Sequence, residues 1–162
     1  MGGGVRLARK EDKGQMLDVI SSYPFKWDKK IAKSYYDDYF AGSMSLKEDR
    51  VFVYSAGDQI KGVVGYSIDR YETGNYWVGW LYVDKKDSAH GIGGRLLSYI
   101  EKRLRKKNVR WLYVSTSSTK NYKPGLKFYR DHGFLFEARL ESYYEDGEDQ
   151  IILCKRLAST HG

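Results

Sequence analysis

One cysteine in 162 residues excludes an internal disulfide. That sets aside the disulfide-stapled secreted class and fits a reducing cytoplasm. Cys154 lies in the apolar run Ile151-Ile152-Leu153-Cys154, so it reads as a small core hydrophobe rather than a nucleophile. Histidine is scarce too, and His90, His132, His161 and Cys154 show no ligand spacing, so no metal is expected. No apolar run approaches the roughly 18 residues that a membrane span requires, and no secretory h-region is visible. A soluble protein is expected. Internal repeats, low-complexity blocks and linkers are also missing. At this length one domain, residues 1–162, buries an adequate core without metal or disulfide support. Within it, Met1-Gly2-Gly3-Gly4 is expected to be disordered.

What the chain has in excess is positive charge and tyrosine. A net charge of +7 and 15 tyrosines raise the question of nucleic-acid binding through a basic surface with stacking platforms. Much of the charge sits in Lys102, Arg103, Arg105, Lys106, Lys107 and Arg110, around one helix end, where cations complement the negative terminus. An ordinary basic surface accounts for that. A polyanionic small ligand would also be drawn by it, and a nucleic-acid module therefore ranks third among the readings.

Val5 to Arg9 reads as an edge strand, and Met16, Leu17, Ile20 and Tyr23 mark one helix face ending before Pro24. Asp28 is placed as the N-cap of a second helix, with Ile31, Tyr35, Tyr36, Tyr39 and Phe40 on its apolar stripe and Gly42 at its end. Val51 to Tyr54 and Ile60 to Ile68 are strands joined through Gly57-Asp58, a hairpin signal. From Tyr76 to Val83 both alternating sets are apolar, which predicts a strand covered on both faces. Trp111 to Val114 is a further strand. Phe134 to Tyr143 and Gln150 to Leu157 form two more around Glu145-Asp146-Gly147-Glu148. Pattern alone supports one domain of the α+β or α/β class.

The chain is organised around the stretch from Trp77 to Leu97: an apolar run to Val83, a polar loop, then Gly91-Ile92-Gly93-Gly94-Arg95. Leu96, Leu97, Ile100 and Leu104 follow at helical spacing, so the loop opens onto a helix N-terminus. Unpaired N–H groups and the positive end of the macrodipole meet there, and residues without bulk let an anion come close. A phosphate or pyrophosphate is the expected occupant. A Walker loop is excluded, because Gly94 is followed by Arg95 and Leu96 rather than Lys and Ser or Thr. A dinucleotide fingerprint would need glycine where Leu96 stands and an acidic residue after the next strand, where Ser115-Thr116 is found. Ser88-Ala89-His90-Gly91-Ile92-Gly93 instead resembles the coenzyme A loop of the GNAT N-acetyltransferases, with Ser88 in place of the usual Gln or Arg. Lys123 to Phe134, with Phe128-Tyr129 and Gly133-Phe134, resembles the helix and its ending in the same superfamily.

That resemblance implies a fold and a chemistry. The fold would be α+β in three layers: a mixed, mostly antiparallel twisted sheet of about seven strands with helices on both faces. The strands ending at Val83 and starting at Trp111 would splay apart. The activity would be transfer of acetyl from acetyl-CoA, the co-substrate, to a primary amine, without metal. Main-chain groups of Leu81, Tyr82 and Val83 would pair with the pantetheine arm. Backbone N–H groups along Ser88, Ala89, His90, Gly91, Ile92, Gly93, Gly94 and Arg95 would cradle the pyrophosphate, with Phe128 beside the cofactor and His90, Lys86 or Arg95 substituting for the missing side-chain contact. Tyr129 stands in the general-acid position, four residues before Gly133. Tyr122 departs from the asparagine common seven residues before that tyrosine. The family's strand glutamate is absent from Tyr76 to Val83, leaving Glu72, Asp37, Asp38 or a water relay to take the amine's proton. Tyr143-Tyr144-Glu145-Asp146-Gly147-Glu148-Asp149 resembles the hairpin of protein N-terminal acetyltransferases, which makes Tyr143 and Tyr144 acceptor-binding candidates and Glu141, Glu145 or Glu148 attractors of a cation. A non-catalytic acyl-CoA sensor on the same fold is the alternative, and a homodimer is left open.

Overall fold

The structure, a computed structural model, describes residues 2–25 and 27–158. Its elements run β1 (Gly4–Leu7), α1 (Lys13–Ser21), α2 (Asp28–Phe40), β2 (Arg50–Ala56), β3 (Gln59–Ile68), β4 (Tyr76–Val83), α3 (Ile92–Lys106), β5 (Trp111–Ser117), α4 (Lys123–Asp131), β6 (Leu135–Glu145) and β7 (Glu148–Arg156). The strands form one sheet in the order β1-β2-β3-β4-β5-β7-β6. Every neighbouring pair is antiparallel except β4 and β5.

Strand alternation distributes the core over both faces of this sheet. Val51, Val53, Ile60 and Val63 pack on Met16, Ile20, Ala32 and Tyr36 from α1 and α2. Phe52, Tyr54, Val64 and Tyr66 pack on Ile92, Leu96, Ile100 and Leu104 from α3, together with Tyr129 and Phe134. The expected three layers are therefore present. α3 lies close to β3 because position 62 is glycine: a Cβ there would sit 2.8 Å from the Leu96 side chain. Gly42 and Gly57, with φ of 78° and 58°, make the turns that end α2 and join β2 to β3.

Several local expectations change. Gly4 is not disordered but opens β1 opposite Ser55, and the Gly3 carbonyl accepts a bond from Arg95 Nη2 at 3.2 Å; Met1 lies outside the described residues. Trp27, not Asp28, is the N-cap of α2, and Asp28 is its first helical residue. Phe134 precedes β6, where its N–H bonds the Tyr129 carbonyl at 2.9 Å and its ring is buried. β4 is buried at Tyr76 and Val78 but only half-buried from Gly79 onward, since that half borders an opening in the sheet.

A buried ion pair ties the two halves behind this opening. Lys155 Nζ on β7 lies 2.8 and 3.0 Å from the carboxylate oxygens of Glu101 on α3, and 2.8 Å from the His132 carbonyl after α4. Glu101 is only 5% exposed, and Arg105, 3.9 Å away, compensates in part. Lys155→Met is expected to lower stability by about 3 kcal/mol, the cost of stranding a buried carboxylate. Urea unfolding checks this; an unchanged midpoint would show that the pair contributes nothing net.

Candidate active site

The opening in the sheet arises from a bulge in β4. Val63 pairs with Tyr82 and Gly65 with Gly79, so Trp80 and Leu81 together face Val64 alone. Trp80 has φ of 51°, which lets the strand kink. β4 and β5 consequently pair only at Tyr76 with Leu112 and Trp77 with Tyr113. From Val78 on, β4 has no strand partner on that side among the described residues, while β5 continues along β7 to Ser117. The expected splay is present. Leu81, Tyr82 and Val83 lie along its β4 wall, and the Val83 carbonyl accepts the Tyr23 hydroxyl at 2.7 Å.

The glycine loop closes one end of the cleft. Gly91, with φ of 73°, is the N-cap of α3. Among the described residues no backbone carbonyl takes the N–H groups of Ile92, Gly93 or Gly94, as the first turn of a helix requires. The Arg95 N–H bonds the Gly91 carbonyl at 3.2 Å and the His90 N–H the Asp87 carbonyl at 3.3 Å. The free N–H set is thus narrower than the whole run from Ser88 to Arg95. The Ser88 hydroxyl bonds the Lys85 carbonyl at 3.0 Å within its own turn. The Arg95 guanidinium is directed at the Tyr54 hydroxyl, 2.9 Å away, and at Gly3, so its side chain does not replace the missing loop contact. His90 is exposed beside the loop. Two of the glycines also serve packing. A Cβ at Gly93 would sit 3.2 Å from the Phe128 ring, and one at Gly94 would sit 3.1 Å from His132 Nε2. His132 is itself held by its Nδ1 contact of 2.7 Å with the Phe128 carbonyl. Phe128 and His132 therefore set the approach of α4 to the first turn of α3.

Tyr129 on α4 is 8% exposed, packed edge-on to Phe128 and Phe134. Among the described residues no hydrogen bond holds its hydroxyl, and burial pushes the phenol above its ordinary value.

The Tyr82 hydroxyl donates to the carboxylate of Asp28, and Tyr122, just before α4, lies near enough to lower the pKa of that carboxylate. Phe25 stacks on Tyr122 with centroids 4.3 Å apart and on Tyr23 at 5.5 Å. Tyr82 leans on both Tyr23 and Phe25. Sequence reasoning missed this cluster. Asp28 had an adequate explanation as a cap, and Tyr122 was weighed only as a departure from asparagine. The one available signal was that the opening helices border an acceptor site in the resembled family.

The other acidic candidates lie elsewhere. Asp37 is bound by Lys13 and Lys33, and Asp38 lines a shallow groove on α2 with Trp27 and Lys30. Glu72 sits in the exposed turn before β4 with φ of 53°. Tyr143 and Tyr144 are 57% and 44% exposed. Ser142, just before them in β6 and with φ of 48°, belongs to an irregular stretch of that strand pinned by Asp149, whose carboxylate takes the Ser142 N–H at 2.8 Å and Arg139 at 2.6 Å. Burial holds the Tyr122 phenol above its ordinary value, and Asp28, Glu148 and Tyr144 add to that in smaller measure. Glu148 accepts the Ser117 hydroxyl at 2.6 Å. Among the described residues no group of three or more His, Cys, Asp or Glu is placed to hold a metal, and His161 lies outside them.

A mixed sheet opened at one strand pair, with a helix N-terminus at the end of the opening, is the architecture that the resemblance to the GNAT superfamily implies. The chain belongs to the GNAT family: the profile described as an acetyltransferase (GNAT) domain matches residues 5–151. No curated protein sequence matches it. Among solved structures, a GNAT family protein from Desulfovibrio desulfuricans is 24% identical over 97% of this chain and 100% of its own, with a TM-score of 0.90. The ribosomal-protein-S18-alanine N-acetyltransferase of Escherichia coli is 15% identical over 98% and 96%, with a TM-score of 0.78. An aminoglycoside 6'-N-acetyltransferase complexed with coenzyme A is 15% identical over 98% and 99%, with a TM-score of 0.72. At these identities the likeness is one of fold.

Proposed function

We propose that the protein is an N-acetyltransferase that moves acetyl from acetyl-CoA to a primary amine of a small molecule or peptide. The observation that carries this reading is the divergence of β4 from β5 beside a helix opening with free N–H groups, with Tyr129 buried next to it. The N–H groups of Ile92, Gly93 and Gly94 hold the pyrophosphate, and the unpaired edge of β4 from Val78 to Val83 receives the pantetheine arm as an added strand. Acetyl-CoA supplies the activated acyl group. Tyr129 gives its proton to the departing thiolate. The buried Cys154 thiol, pushed up to about 11 by burial and by Glu137, takes no part and suits a cytoplasmic setting.

Release of free thiol from acetyl-CoA, screened against amines and peptides, tests the reading. Turnover with at least one amine is expected. Stabilisation by acetyl-CoA without thiol release from any amine would favour an acyl-CoA sensor instead.

Tyr144 forms the acceptor side of this arrangement, with Tyr143 edge-on to it at 5.0 Å. Tyr144→Ala is expected to raise KM for the amine about tenfold, the scale of losing an aromatic anchor, and Tyr143→Ala less. KM for acetyl-CoA should stay nearly constant, because the hairpin touches only one substrate. Equal losses for both substrates would put the acceptor elsewhere.

A further inference from the structure

Resting on the acetyl-transfer reading, we propose that Asp28 takes the proton from the acceptor amine, within a wall formed by Tyr23, Phe25, Tyr82 and Tyr122. Its carboxylate is held by the Tyr82 hydroxyl from β4, and Tyr82 packs on Tyr23 and Phe25, with Phe25 stacked on Tyr122. Among the described residues no cation is paired with it. A carboxylate that is half-buried, oriented by a neutral donor and lacking a counter-ion is arranged for a positive group that arrives from outside.

The position fits the reaction. Tyr82 lies on the half of β4 that has lost its β5 partner, so its bond to Asp28 holds the carboxylate at the wall of the opening. The aromatic block narrows the energetic gap for the transfer. An alkylammonium and a carboxylic acid differ by roughly six pKa units in water. Removal from water lowers the first and raises the second. Burial already holds the Asp28 carboxyl above its usual range, against the opposing effect of Tyr82 and Tyr122.

The step balances as follows. The ammonium passes one proton to Asp28, leaving a neutral amine and a carboxylic acid. The nitrogen forms its bond to the acetyl carbon, the carbon–sulfur bond breaks, and its electron pair leaves on sulfur. Tyr129 protonates that thiolate, and the second proton shed by the nitrogen restores the phenol. The proton on Asp28 goes to solvent when the amide departs.

The groups facing Asp28 are few. Tyr82 bonds it directly, Tyr122 lowers its pKa, and Glu148 and Tyr144 add to the raised pKa of Tyr122. Asp84 acts on Tyr23, while Lys29 and Lys30 on its own helix are exposed.

With an amine that the wild type acetylates, Asp28→Asn should lower kcat/KM at neutral pH roughly 10²- to 10⁴-fold, the scale of losing a general base. Stabilisation by acetyl-CoA should be unchanged. Activity of the variant should recover as pH approaches the amine's own pKa, where free amine no longer needs a base. Tyr82→Phe should move the acidic limb of kcat/KM to higher pH, because the hydroxyl that bonds Asp28 and lowers its pKa is gone. Wild-type kcat/KM in Asp28→Asn, or a loss that high pH does not rescue, overturns the role. If Asp28→Asn does not fold, an unmoved limb in Tyr82→Phe overturns it. A wild type that releases no thiol with any amine overturns acetyl transfer itself, whereas an active wild type matched by Asp28→Asn overturns only the proton role.

Discussion

Tyr129→Phe should bind acetyl-CoA like the wild type and turn over roughly ten- to a thousandfold more slowly, the scale of losing a general acid. The phenyl ring keeps the edge-on contacts with Phe128 and Phe134, so packing is preserved and only the hydroxyl is lost. No hydrogen bond among the described residues is broken by the change, which limits the structural cost. Because burial holds the phenol above its ordinary value near 10, the residue stays protonated through neutral pH and the rate should show no basic limb from it below about pH 10. A kcat that falls while KM for acetyl-CoA stays constant is the expected split. Wild-type turnover in the variant would reduce Tyr129 to a packing residue.

The parts of this site that could be read in the sequence are those in which one stretch of chain makes its own geometry. Gly91 at a left-handed N-cap, the helix behind it and the strand before it are local facts, and the order of elements follows from periodicity and turn residues. The opening itself was foreseen only through the resemblance. Its physical cause, the bulge that puts Trp80 at positive φ, leaves no composition signal, because tryptophan is not a residue that favours such a conformation.

Convergence of distant side chains was less legible still. Asp28, Tyr82 and Tyr122 belong to three elements, and each has a sufficient local explanation: helix start, strand packing and helix leader. Arg95 shows the reverse error. Its place at the loop suggests an anion contact, yet the helix turns its side chain toward Tyr54 and Gly3 at the β1–β2 edge of the face that α3 covers. One residue's step around a helix, about 100°, decides between those outcomes, and spacing from a glycine does not convey it.

Gly93→Glu is expected to abolish stabilisation by acetyl-CoA, and the geometry separates two reasons for it. A negative side chain at the first turn of α3 opposes a pyrophosphate drawn to the same N–H groups. Any side chain there also presses on the Phe128 ring, 3.2 Å from the new Cβ, so part of the effect is the fit of α4 against α3. Gly93→Ala isolates the second, since it adds the Cβ without charge. With acetyl-CoA at about a hundred times its dissociation constant, linkage gives the wild type about 2.7 kcal/mol. In a chain of this size that raises Tm by roughly 5 to 10 °C. Gly93→Ala should start from a lower Tm and still rise on adding acetyl-CoA, whereas Gly93→Glu should not respond. If Gly93→Glu rose as much as the wild type, the anion would not sit at this helix end. If Gly93→Ala also failed to respond, the seating of Phe128, rather than charge at the loop, would be what binding requires.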